Sequence, residues 1–280
     1  MWEVSPPGHT ASTTARECVN GIKDAGLRDR VLGAVQNFDA NSTSYQGAIL
    51  DNLVHSLSND SYPVPGISGD EMQWLYSTQL AKRSRPARVI YDSIIQSAPN
   101  GLCCYCQYGK ASTLDHFVPK TVIPALAVDP WNLVPCCMDC NHTLLDRFGC
   151  VPEEQLLHPY MMPDIGRWLH AEVVEGLPPT VRFRVEPEDR LDGSLRSRIY
   201  NQVEALRLNH LYAVVSTQDL CEVSINASRI FPLQGADGVH DHLEEMSQDY
   251  LSINMNSRRG VLYEALASSE WYCHGGFAME

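Results

Sequence analysis

The chain has 280 residues, 44% of them apolar and 20% charged, which suits one large or two modest folded domains and excludes a disordered chain. Its formal charge of -13 argues against a surface built for indiscriminate nucleic-acid binding. No run approaches the roughly 18 apolar residues of a membrane helix, and Met1-Trp2-Glu3-Val4-Ser5-Pro6-Pro7-Gly8 lacks a basic region followed by an apolar run, so a cytoplasmic protein without a membrane partner is expected.

Residues 1–15, rich in Ser, Thr, Pro and Gly, read as an irregular lead-in. Apolar residues then recur at helical spacing from Ala15 to Leu57, as in Ile22, Leu27, Val31, Leu32 and Val35, and again in Ile49, Leu50, Leu53, Val54 and Leu57. Two or three helices are expected there, with a break near Asp39-Ala40-Asn41-Ser42. Pro63, Pro65, Gly66 and Gly69 mark a turn-rich stretch, and Glu71 to Ala81 is helical in pattern.

The densest basic run is Lys82-Arg83-Ser84-Arg85-Pro86-Ala87-Arg88. Residues 82–120 hold six basic and two acidic residues, so the rest of the chain is more acidic than the total suggests. Beyond residue 150, Ala171–Glu175 and Thr180–Val185 flank Gly176-Leu177-Pro178-Pro179 and read as a strand pair. Helical periodicity returns at Leu195–Val215, Asp237–Ile253 and Ser257–Ala267.

Seven of the ten cysteines fall between residues 103 and 150. In a chain without a secretory signal such clustering points to metal before disulfides. Cys103 and Cys106 form one C-x-x-C knuckle, and Cys137 and Cys140 form a second. Two-residue spacing lets a tight turn aim both thiolates at one tetrahedral ion, and zinc is the usual occupant of a four-cysteine cage. Such an ion, closed off by protein, would be structural and would contribute folding free energy. Cys104 or Cys136 could replace a neighbour: Cys104-x-Cys106 is too tight, but Cys136-x-x-x-Cys140 stays within the permitted spacing.

Thirty residues separate the knuckles, and they include Thr113-Leu114-Asp115-His116-Phe117-Val118-Pro119-Lys120 and Asn132-Leu133-Val134-Pro135. An imidazole can take a proton from water near neutral pH, while a carboxylate and an amide oxygen are hard ligands suited to Mg²⁺ or Mn²⁺. Taken in order, Cys103/Cys106, Asp115-His116-x-x-Pro119, Asn132, Cys137/Cys140 and Asn141 resemble the HNH endonuclease family, in its four-cysteine zinc-bearing branch. The resemblance covers about residues 88–149. It implies an α+β fold, a mostly helical chain around a small zinc-stabilised ββα-metal, treble-clef-like module. On this reading residues 1–87 form a helical N-terminal region, 88–150 the nuclease module, and 151–280 a strand pair plus helices.

The resemblance also assigns roles. Asp115 and Asn141 would bind a catalytic Mg²⁺ or Mn²⁺, with His142 a weaker candidate, and His116 would be the general base. Asn132 would fix the loop and the orientation of His116, and a short helix from Asn141 to Phe148 would present Asn141 from its first turn. One residue further round a helix turns a side chain by about 100°, so Asn141 and His142 should not both face the ion. Arg83, Arg85 and Arg88 would hold DNA backbone phosphates without reading sequence. The expected activity is hydrolysis of DNA phosphodiester bonds, in a bacterial or phage defence setting. The acidic balance of the chain motivates a partner protein such as an ATPase or recognition subunit. A non-catalytic zinc module binding nucleic acid or a partner protein is the alternative. His158-Pro159-Tyr160 is better explained as a packed turn than as a cleft lining, and His240 and His242, among acidic neighbours, as a solvated helix start.

Overall fold

Short polar side chains set the starts of most helices. The hydroxyl of Thr10 accepts from the Thr13 amide to open α1 (Ala11–Val19), and the Asp24 carboxylate accepts from Leu27 to open α2 (Ala25–Gly33). The computed structural model describes residues 3–278. They fall into two units, Met1–Pro163 and Asp164–Glu280. The described chain is mostly helical with two small antiparallel sheets, an α+β architecture. None of its described helices is long and apolar enough to cross a membrane.

In the first unit α3 (Val35–Leu50) follows α2 after a one-residue break at Ala34, and no break occurs at residues 39–42. The polar residues there have tertiary partners instead. Asp39 accepts from the Ser12 amide at the start of α1 (2.9 Å), and Ser42 donates to the buried Asp129 carboxylate (3.1 Å). A reciprocal Ser68–Glu71 capping box opens α4 (Gly69–Trp74), which widens into a π turn over Leu75–Leu80. After α5 (Arg88–Gln96), strands β1 (Thr113–His116) and β2 (Leu133–Cys136) pair antiparallel, with Asp115 opposite Val134 and His116 opposite Leu133.

Four-residue strands in a lone pair are marginal in water. Here Leu114 and Leu133 enter the same core as Ala15, Val31, Phe38, Leu75 and Ile90 from the helices, so residues on both sides of position 87 share one apolar interior. A short helix, α6 (Met138–Leu144), follows β2 directly. It starts three residues before the expected Asn141, because Cys137 itself is the N-cap.

In the second unit β3 (Leu169–Val174) and β4 (Thr180–Val185) form the expected strand pair. The helix expected over Leu195–Val215 is divided: α7 (Gly193–Ala205) stops where Arg207 takes a left-handed conformation (φ 52°). The next helix, α8 (Leu208–Ile253), then runs through residues 216–236, where no helix was expected. It bends where Pro232 lacks an amide hydrogen and Gly235 turns to φ 69°. Next comes α9 (Arg258–Ala267), opened by Ser257.

Buried polar side chains tie this unit together. Asn256 accepts from the amides of Trp168 (2.8 Å) and Leu169 (3.0 Å) and donates to the Gly166 carbonyl (2.8 Å). Asp219, in the first third of α8, accepts from both Arg258 and Arg259. Because a buried group left without its partner costs about 1–3 kcal/mol, Asn256→Ala is expected to lower unfolding free energy by about 3 kcal/mol in a urea titration. A loss within about 0.5 kcal/mol, the range of an ordinary surface change, would show that this clamp contributes little.

Candidate functional site

The first knuckle closes as a tight loop. Leu102 bridges Lys110, the Cys103 amide donates to the Gly109 carbonyl (2.7 Å), and Gln107 adopts a left-handed conformation (φ 59°). Position 109 requires glycine, since a Cβ there would lie 2.8 Å from Cys137 Cβ. That close approach lets the two knuckles meet. The Gly109 amide donates to Cys106 Sγ (3.4 Å), and the Cys140 amide donates to Cys137 Sγ (3.4 Å).

The thiols of Cys103, Cys106, Cys137 and Cys140 are buried and lie within 4.8 Å of one another. Tetrahedral zinc with Zn–S distances of about 2.3 Å spaces its sulfurs by about 3.8 Å, and Cys106 Sγ and Cys137 Sγ are 3.9 Å apart. The donor set and its spacing are compatible with zinc. Hydrogen bonds from the neighbouring thiols, helped by the Gly109 amide, hold Cys106 below the ordinary thiol range. Cys104 and Cys136 lie outside the cluster, and burial pushes both thiols well up.

Beside the cluster a cleft of about 350 Å³ opens over the end of β1 and one face of α6. Asp115, His116, Lys120, Asn141 and His142 all line it. Both Asn141 and His142 reach it because the cleft runs along Met138, Asn141 and His142, an i, i+3, i+4 stripe of one helix face, and on to Leu145 just past the helix end. Asp115 and His116, the last two residues of β1, both face it as well.

Burial acts on these neighbours in opposite directions. It pushes the Asp115 carboxyl up to about 6, against the hydrogen bond that Tyr105 donates to Oδ2 (2.9 Å). It holds His116 down to about 3, because the imidazolium is the form that burial disfavours. His116 Nε2 lies 2.9 Å from the Ala127 carbonyl. A carbonyl can only accept, so Nε2 carries the proton and Nδ1 keeps its lone pair. Tyr76, delivered by the π turn, packs edge-on against the His116 ring with centroids 4.2 Å apart.

Asn132 is wholly buried and touches none of the cleft. Its Oδ1 accepts from the Val118 amide (2.7 Å), and its Nδ2 donates to the Val118 (2.9 Å) and Leu126 (3.3 Å) carbonyls. Leu126 precedes Ala127, so this amide holds the loop whose carbonyl orients His116. None of Arg83, Arg85 and Arg88 lines the cleft. Arg85 donates to the Gly21 carbonyl (3.1 Å), and Arg88 pairs with Asp92 (2.8 Å) and lies over the Tyr91 ring; Arg83 is exposed. His158 and Tyr160 are buried in an aromatic cluster with Phe117 and Trp131.

Sequence reasoning missed Tyr105, Tyr76, Lys120 and the Ala127 carbonyl. Lys120 stands directly after Pro119 of the Asp115-His116-x-x-Pro119 segment, and Tyr105 inside the first knuckle, so their positions carried a signal. Tyr76, forty residues before His116, carried none.

The chain is similar to Protein ea31 of Escherichia phage lambda, with 24% identity over 296 aligned positions that cover 98% of this chain and 100% of that protein. No family model matches the chain, and no solved structure matches it.

Between pH 6.5 and about 3 an unfolded chain binds the His116 proton and the folded one does not. This residue therefore lowers stability as pH falls through that window. In an NMR titration the His116 ring is expected to keep neutral-imidazole shifts from pH 8 down to about 5, well above its depressed value. A midpoint near 6.5 would mean that the ring is solvated and that the Ala127 contact does not persist.

Proposed function

We propose that this chain is a metal-dependent HNH-type endonuclease hydrolysing DNA phosphodiester bonds, with a structural zinc held by Cys103, Cys106, Cys137 and Cys140. The observation that carries this reading is the convergence of Asp115, His116, Lys120 and Asn141 on one cleft beside the four-thiol cluster. His116 Nδ1 takes the proton of the attacking water, and the Ala127 carbonyl keeps that nitrogen aimed by holding Nε2. Lys120, which lines the cleft with its ammonium 5.8 Å from the Tyr76 ring centroid, holds a non-bridging phosphate oxygen. Asn132 acts through the loop it clamps. The carboxylate of Asp115 and the amide oxygen of Asn141 are hard donors that fit Mg²⁺ or Mn²⁺. When bound there, that ion would neutralise charge on the leaving oxygen. The acidic balance of the chain, -13, favours a partner protein such as an ATPase or recognition subunit that supplies further DNA contacts.

Zinc analysis of the purified protein is expected to give about one ion per chain, and Cys137→Ser to lose it together with several kcal/mol of stability, since binding energy in such cages is largely folding energy. Retention of full zinc and thermal stability by Cys137→Ser would mean that the cage is misassigned.

Plasmid nicking should vanish on chelation and return with Mg²⁺ or Mn²⁺. His116→Ala is expected to keep zinc while lowering single-turnover cleavage by at least about 100-fold, the worth of a general base. Asn141→Ala should raise the metal concentration required, and His142→Ala should be milder. The reverse order would transfer the ligand role to His142. A parent that cleaves with neither metal would leave a non-catalytic zinc module that binds nucleic acid or a partner protein.

A further inference from the structure

The first knuckle reads Cys103-Cys104-Tyr105-Cys106, so a tyrosine is fixed between two members of the four-thiol cluster. Its side chain is fully buried, and its hydroxyl donates to Asp115 Oδ2 at 2.9 Å. A carboxylate presents about four acceptor sites. Holding one of them with a buried donor restrains the rotation of the carboxylate plane while the side chain still lines the cleft. The second knuckle does the same for the other candidate ligand by a covalent route. Asn141 follows Cys140 directly, and its amide donates to the Cys137 carbonyl (3.1 Å), in a helix whose N-cap is Cys137 itself.

We infer that Tyr105 is a positioning residue for the catalytic metal, and that the four-cysteine cage sets the separation of Asp115 and Asn141 through it. The inference rests on the metal-dependent nuclease reading above and adds a dependence of one metal site on the other. Each knuckle governs one ligand: the 103–106 turn through the Tyr105 hydroxyl, the 137–140 turn through the first turn of α6. Groups that orient a metal ligand from behind are worth about 10- to 100-fold in affinity when removed. Tyr105 is fully buried and does not line the cleft, so its effect should appear in metal binding and not in the rate once metal is saturating.

The test is Tyr105→Phe, which removes one oxygen and nothing else, in the full zinc-loaded chain. Calorimetric titration with Mn²⁺, in the absence of DNA, is expected to give a dissociation constant about 10- to 100-fold weaker than the parent's. Zinc content and cooperative unfolding should be retained, and single-turnover cleavage at saturating Mn²⁺ should fall no more than about threefold. If the parent binds Mn²⁺ and Tyr105→Phe binds it equally well, the role of Tyr105 is overturned and the nuclease reading stands. If the parent binds no Mn²⁺, the catalytic-metal reading falls and this inference with it. Loss of zinc or of cooperative unfolding in Tyr105→Phe also overturns the inference, because the hydroxyl would then serve the stability of the cage.

Discussion

Four thiols within 4.8 Å of one another are the constraint on which the first unit's cleft depends. Ionised together and without a cation, they would repel strongly in a buried setting. A divalent ion bound there would turn that repulsion into an attraction between two loops separated by thirty residues of chain. The closure is tight enough that Gly109 tolerates no side chain against Cys137. It also replaces core that the hairpin lacks, since four-residue strands bury little by themselves. Leu114 and Leu133 supply the remainder by entering the helical interior.

The cleft is organised against stability. Burial raises the Asp115 carboxyl and depresses His116 in adjacent positions, so each is biased toward its neutral form. The neutral imidazole keeps the lone pair on Nδ1, and a cation bound beside Asp115 would oppose the effect of burial on its carboxyl. The proposed chemistry uses both consequences of one desolvated corner. Around it, hydrogen bonds are already committed: Tyr105 donates to Asp115, His116 donates to the Ala127 carbonyl, and Asn132 donates to the Leu126 carbonyl of the same loop. In the proposed reaction such a site would need little rearrangement when substrate arrives.

The second unit uses another device. Its strand pair and helices are joined by buried polar clamps, Asn256 to the segment at Gly166–Leu169 and Asp219 to Arg258 and Arg259. Such contacts demand a particular register because any slip leaves a buried donor or acceptor unmatched. They fix the arrangement of this unit more narrowly than its apolar pattern does.

Local chemistry was legible in the sequence. The paired C-x-x-C spacing announced which cysteines would meet, and the structure excludes Cys104 and Cys136 from the cluster. The alternation around Gly176-Leu177-Pro178-Pro179 announced the strand pair. These signals act over a few residues, where spacing and turn geometry decide the outcome. Tertiary structure alone decided what depended on distant partners. Asp39 and Ser42 looked like a helix break until their acceptors and donors proved to lie at Ser12 and Asp129. Arg85 and Arg88 looked like phosphate contacts, yet Gly21, Ala81 and Asp92 hold them. The tautomer of His116 depends on a carbonyl eleven residues away, and the edge contact of Tyr76 on a π turn forty residues before it. A hydrogen bond or ring contact across such separations leaves no periodicity in the chain, so only the packed structure could supply it.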